Sequence, residues 1–237
     1  MKKLTGLLFL FSFFCAGGQS LDSTNKGLAE ISDNVAGLYF ANQRETLAIH
    51  NGRVFYGYPG TVDHAFYPET GWQNGSVLYD GIWYKDISLM YDIYKDEVLI
   101  LHPTATPIRL FSERVQQFIF QGQTFVRLNP EKNNILKSGF YQRLTEGNVT
   151  IFVRRYKKLE ENIVDLAIER RFVGFNQYYV LKDGNYYPIN KQKSLLELLK
   201  DTRQNIVQHL KQQKLRYKDN KEKAIVQIAE FYNQSHK

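Results

Sequence analysis

Five carboxylates crowd one short stretch of this chain: Asp80, Asp86, Asp92, Asp96 and Glu97. Two carboxyl groups held about 5–10 Å apart can hydrolyse a glycosidic bond, one as acid and the other as nucleophile or base. The same acids, with turn carbonyls, would suit Ca²⁺, although the spacing of an EF-hand loop is absent. Backbone chemistry gives a simpler account. Asp80 precedes Gly81, and Asp96 and Glu97 follow Lys95 between two apolar runs, so these acids stand where turns belong. Turns select Asp for the hydrogen bonds it makes to its own backbone. We therefore assign no catalytic residue and no metal ligand.

The remaining chemistry is sparse. The histidines His50, His64, His102, His209 and His236 are scattered, none at ligand spacing from another. A nucleophile elbow, a Walker loop, a dinucleotide glycine fingerprint and a zinc-binding H-E-x-x-H are all missing, so no cofactor is expected.

Two groups could bind rather than react. Trp72, Tyr79, Trp83, Tyr84 and Tyr94 could offer an aromatic face to a sugar or peptide, although Tyr and Trp are also ordinary half-buried strand residues. Lys211, Lys214, Arg216, Lys218, Lys221 and Lys223 surround a break between two helical patterns. They could meet anionic lipid or an acidic polymer, or simply form a solvated helix face. Residues 191–237 hold 11 basic and 5 acidic residues, within a chain whose formal net charge is +7. The rest is close to neutral once Lys2 and Lys3 are set aside.

Those two lysines open a leader. A positive start, an apolar run from Leu7 to Phe14 and the small residues Ala16, Gly17 and Gly18 read as a signal peptide over 1–18. The run is well short of the ~20 residues that a membrane span needs. Export to the periplasm or the periphery of an outer membrane is expected, which makes nucleic acid an improbable partner. Cys15 is the single cysteine, so a mature chain starting near Gln19 has no thiol chemistry. Lipidation at Cys15 is the lesser alternative, because Phe13 and Phe14 stand where small residues are preferred.

Residues 19–40 read as a polar linker. Over 41–130 turn signals separate short apolar runs: Asn51-Gly52, Asn74-Gly75, Asp80-Gly81 and Gln121-Gly122. Asn-Gly between apolar runs is a strong hairpin signal, because both turn residues take positive φ. Ile87, Leu89, Tyr91 and Ile93 alternate with polar neighbours, as in a strand with one buried face. Val98 to Leu101 is a continuous apolar run suited to a central strand. A second hairpin block spans 139–190, with turns at Gly147 and at Asp183-Gly184. Inside it 157–169 fits a helix or a long paired strand. Over 191–237 the apolar period becomes helical, with a last stripe on Ala224, Ile225, Ile228, Ala229 and Tyr232 and a capping box on Asp219 and Glu222. The expected fold is α+β: antiparallel meanders and hairpins, then a C-terminal helical hairpin.

The block from Asn74 to Val98, NGSVLYDGIWYKDISLMYDIYKDEV, resembles one in a family of uncharacterised exported proteins of Gram-negative bacteria. Its pattern is roughly G-x-V-x-Y-x-G-x-x-Y-x-x-x-x-L-x-Y-x-I-Y-x-D-x-V, met here by Gly75, Val77, Tyr79, Gly81, Tyr84, Leu89, Tyr91, Ile93, Tyr94, Asp96 and Val98. The resemblance implies fold and compartment, and no activity. The function to expect is a non-enzymatic binding protein whose partner is an envelope protein, a glycan or an anionic lipid surface. The alternatives are a hydrolase acting through the 80–97 carboxylates, and a structural envelope component held by its basic tail.

Overall fold

A computed structural model describes residues 48–129 and 135–236. The expected signal peptide over 1–18, the expected linker over 19–40 and Cys15 lie outside them. Three two-residue turns set the pattern of the sheet: Asp80-Gly81, Gln121-Gly122 and Asp183-Gly184 all have both residues at positive φ. That geometry matches the natural twist of paired strands, and glycine adopts it without steric cost.

In chain order the strands are β1 (Arg53–Val54), β2 (Phe66–Tyr67), β3 (Gln73–Tyr79), β4 (Ile82–Asp92), β5 (Glu97–Leu101) and β6 (Pro107–Arg109). Then follow β7 (Val115–Phe120), β8 (Gln123–Leu128), β9 (Gly139–Arg143), β10 (Val149–Val164), β11 (Ala167–Lys182) and β12 (Asn185–Pro188). Three helices end the chain: α1 (Gln192–Leu198), α2 (Arg203–Gln212) and α3 (Lys221–Ser235). Among the described residues the strands form one sheet in the order β1-β6-β5-β4-β3-β7-β8-β9-β10-β11-β12, with β2 beside β4. All of these pairings are antiparallel. The polar stretch after residue 129 does not divide the sheet, since β8 pairs with β9 from Thr124↔Arg143 to Leu128↔Gly139.

The sheet curls back on itself. Ile93, just past β4, accepts the Lys157 amide of β10 at 3.1 Å, although β3, β7, β8 and β9 stand between them in the sheet order. The enclosed space is filled by rings. Tyr91, Phe118, Phe125 and Phe140 are fully buried or nearly so. Phe118 stacks on Phe125 at 4.8 Å, and Tyr91 meets Phe118 edge-on at 5.1 Å. Such aromatic pairs add to the stabilisation from their buried area.

A second core lies between the hairpin and the helices. Val149, Ile151, Val153, Tyr178 and Val180 pack against Leu195, Leu199, Ile206, Ile225 and Ile228. The expected stripe of α3 is its buried set, Ala224, Ile225, Ile228, Ala229 and Tyr232. Two ties fasten α3 to the sheet. Asn233 binds both the amide and the carbonyl of Val149 at 2.8 Å. Arg155, almost wholly buried, pairs with Glu222 at 2.9 Å.

Several expectations change. Of the two alternatives for 157–169, the long paired strand is the one formed: the hairpin pairs from Val149↔Lys182 to Val164↔Ala167 and turns at residues 165 and 166. Asn51-Gly52 is not a hairpin: Ala48–His50 is a 3₁₀ turn and β1 pairs with β6. Asn74-Gly75 lies within β3 at a register shift, where a Cβ on Gly75 would stand 2.4 Å from the Ile119 carbonyl. There glycine serves close approach at a bulge rather than a turn. The cap of α3 is Asn220, which accepts the Lys223 amide at 2.9 Å. Glu222 is thereby free to reach Arg155. The tail holds three helices, because the polar stretch from Lys200 begins with a turn closed by Thr202 N–H to Leu199 O at 3.2 Å.

Candidate functional site

The sequence-stretch of acids does not converge on a shared centre. Asp80 pairs with Arg114, and Asp86 accepts from Asn74 at 3.3 Å. Glu97 pairs with Arg109 at 3.3 Å. Asp92 is fully buried; it accepts the Tyr58 hydroxyl and the amides of Tyr94 and Lys95, the latter two at 2.9 and 3.0 Å. Each carboxylate is occupied in holding a turn or a strand end.

The aromatic candidates are also dispersed. Successive strand residues point to opposite faces, so Trp83 is exposed while Tyr84 is buried, and Tyr79 is buried as well. Tyr94 packs edge-on against Phe172 at 5.1 Å. Trp72 is half-buried. The five do not share one open face, and this corrects the expectation of an aromatic platform.

The basic tail divides. Lys211, Arg216 and Lys218 line one cleft beside α2. Lys214 and Lys223 are exposed, and Lys221 lies 4.9 Å above the Tyr178 ring. Burial lowers the Lys221 pKa, so this cation is partly withdrawn from the surface.

What the sheet does bring together is a set of cations outside the tail. A cavity of about 420 Å³ is lined by Arg53, Lys95, Arg109, Arg127 and Arg154, with Asp96, Glu97 and Glu113 as its acids. A second cavity of about 390 Å³ is lined by Lys137, Arg154, Arg155, Lys157 and Lys158, with Asp96 as its one acid. Asp96 and Arg154 belong to both, so the two hollows flank this pair. The cations come from β1, β6, β8 and β10, from the turn after β4 and from the loop before β9.

Asp96 organises the divide. It occupies the turn between β4 and β5 at φ +60°. Its carboxylate accepts the Tyr91 hydroxyl at 2.6 Å and the Phe140 amide at 3.2 Å. Burial, the largest influence, pushes its pKa above the carboxylate norm against the pull of Tyr91, Phe140, Arg154 and Arg127. Tyr91 itself is raised well above the usual phenol range by burial, so its proton stays on oxygen and points to Asp96. Gly139 makes room: a Cβ there would lie 2.1 Å from Asp96 Oδ2, at a φ of +148°.

The arginines retain unused donors. The Nε atoms of Arg109 and Arg127 are buried and have no hydrogen-bond partner. Arg127 lies over the Phe140 ring at 5.4 Å, and Arg53 over Phe111 at 5.5 Å. Among the described residues neither Arg53, Arg127 nor Arg154 is in an ion pair with a carboxylate. A buried unpartnered donor is costly, so such groups ordinarily meet an acceptor. Guanidinium forks facing a hollow fit carboxylate, sulfate or phosphate oxygens.

Sequence reasoning missed this site, since net charge over the body sums to nearly nothing. The available signal was an arginine set among apolar strand residues, as in Phe125-Val-Arg127-Leu and Phe152-Val-Arg154. Among the described residues no group of three His, Cys, Asp or Glu side chains is placed to hold a metal ion. No family model, curated protein or solved structure matches this chain.

Proposed function

We propose that this is an exported, non-enzymatic binding protein whose ligand carries at least two oxyanion groups, one for each hollow beside Asp96 and Arg154. The observation that carries this reading is the convergence of Arg53, Arg109, Arg127 and Arg154 on one cavity, with Arg53, Arg127 and Arg154 in no ion pair among the described residues. Acidic glycan segments and phosphorylated or polycarboxylate molecules share the required chemistry. Export is supported by the positive start, short apolar run and small residues of 1–18, and by the resemblance of 74–98 to uncharacterised exported proteins of Gram-negative bacteria.

Binding to the folded state raises apparent stability by mass action. Thermal melts with sodium phosphate or sulfate against chloride at matched ionic strength should show a higher Tm with the oxyanions. The rise should be smaller in Arg127→Met with Arg154→Met, where only the general stabilisation by excluded kosmotropic salts remains. Equal melting temperatures in all three salts would count against the reading.

A further inference from the structure

The hairpin of β10 and β11 ends in a turn unlike its counterparts. Asp165 and Leu166 adopt φ of 49° and 65°, the geometry that Asp80-Gly81, Gln121-Gly122 and Asp183-Gly184 also use. In those three the second residue is glycine; here it is leucine, with its side chain fully exposed. A left-handed leucine is strained where glycine is not, and no packing among the described residues offsets that strain. Its neighbours extend the apolar tip: Ile163, Ile168 and Val164 are 80%, 64% and 45% exposed. Below them the collar is neutralised, with Arg170 on Glu161 at 2.8 Å and Arg171 on Glu169 at 2.9 Å. The tip is thus an apolar finger with one carboxylate, Asp165, at its apex.

A complementary recess exists elsewhere on the chain. Where α2 ends, Lys214 turns the backbone at φ +51° and the Leu215 amide returns to the Leu210 carbonyl at 3.0 Å. The recess there has a volume of about 340 Å³; Val207, Leu210 and Leu215 form its apolar part, and Lys211, Arg216 and Lys218 its cations. Tyr217 also lines it, and the Tyr217 hydroxyl is buried without a partner. We propose that the hairpin tip of one copy seats in this recess of a second copy, Leu166 among the aliphatic residues and Asp165 among the cations. A bilayer is the poorer occupant, because the apex is anionic and its collar carries no surplus of basic charge. The contact joins two different surfaces, so it either propagates into rings or chains or closes as a twofold dimer in which each tip enters the other's recess.

Sedimentation velocity of the full chain over a range of concentration tests this. The wild type should show mass rising with concentration. Leu166→Gly, which relaxes the turn and so preserves the fold, should weaken association at least tenfold. Lys218→Glu should weaken it similarly, and combining it with Asp165→Lys should restore part of the loss. A wild type that stays monomeric throughout overturns the proposal, as does a Leu166→Gly chain that associates as strongly as wild type. So does a monomeric wild type whose tip, tested with phosphatidylcholine–phosphatidylglycerol vesicles, binds lipid in a Leu166-dependent way.

Discussion

The Tyr91 hydroxyl donates to Asp96 at 2.6 Å, joining the aromatic core to the one carboxylate shared by the two basic hollows. That bond decides what the arginines can do. Asp96 directs its oxygens to Tyr91 and to the Phe140 amide, and forms no ion pair with Arg127 or Arg154. Their charge therefore acts on Asp96 only through space, lowering its pKa against the larger effect of burial. An arrangement that fixes the acid and leaves the bases open favours an anionic guest.

Gly139→Ala should disturb this arrangement first. The added Cβ would press on Asp96 Oδ2, and φ of +148° suits an L side chain poorly. A loss of about 2 kcal/mol or more is expected, read as a lower urea midpoint. A midpoint unchanged from wild type would mean that Asp96 is not held as described.

Asp96→Asn should alter the pH profile of stability. A carboxyl raised in the folded state favours its protonated form. Its contribution is complete below the ordinary value of 3.8 and is lost as pH rises through the raised one. Fixing the neutral form removes that loss. Between about pH 3 and pH 7 the stability of the variant relative to wild type should therefore increase with pH. A difference that shrinks as pH rises would contradict this, as measured by urea melts across the range.

Much of this fold was legible from local chemistry. The stripe of α3 and the Asp-Gly turns follow from helical period and from glycine's tolerance of positive φ, both properties of a few neighbouring residues. Asn74-Gly75 misled because the same dipeptide serves a turn or a bulge, and the Ile119 carbonyl that decides between them is remote in sequence. The basic cleft was hidden for a related reason. Arg53, Arg109, Arg127 and Arg154 are brought together by strand order and curl, neither of which is written in charge or spacing.

Glu222→Gln should expose the tie between α3 and the sheet. Arg155 is buried beneath Glu222, which also accepts the Tyr178 hydroxyl at 2.9 Å. Removing the negative partner leaves a buried cation less well compensated, at a cost of about 1–3 kcal/mol. Chemical denaturation gives the value, and a loss under about 0.5 kcal/mol would show that the pair is energetically idle.

Asn233→Ala should loosen the end of α3 from β10. Its carboxamide satisfies both backbone groups of the buried Val149, so its loss should cost roughly 1–3 kcal/mol. Hydrogen exchange at the Val149 amide should accelerate with it. Unchanged protection there would place the tie elsewhere.

Isothermal titration of the full chain with inorganic tripolyphosphate at low ionic strength asks whether the cleft beside Asp96 is the anion site. The account predicts saturable binding that weakens at least tenfold in Arg127→Met with Arg154→Met. It also predicts that changing Lys214, Arg216, Lys218 and Lys221 of the tail to Gln leaves this binding unchanged. No saturable binding by the wild type, or full binding by the Arg127, Arg154 variant with loss in the tail variant, would contradict it.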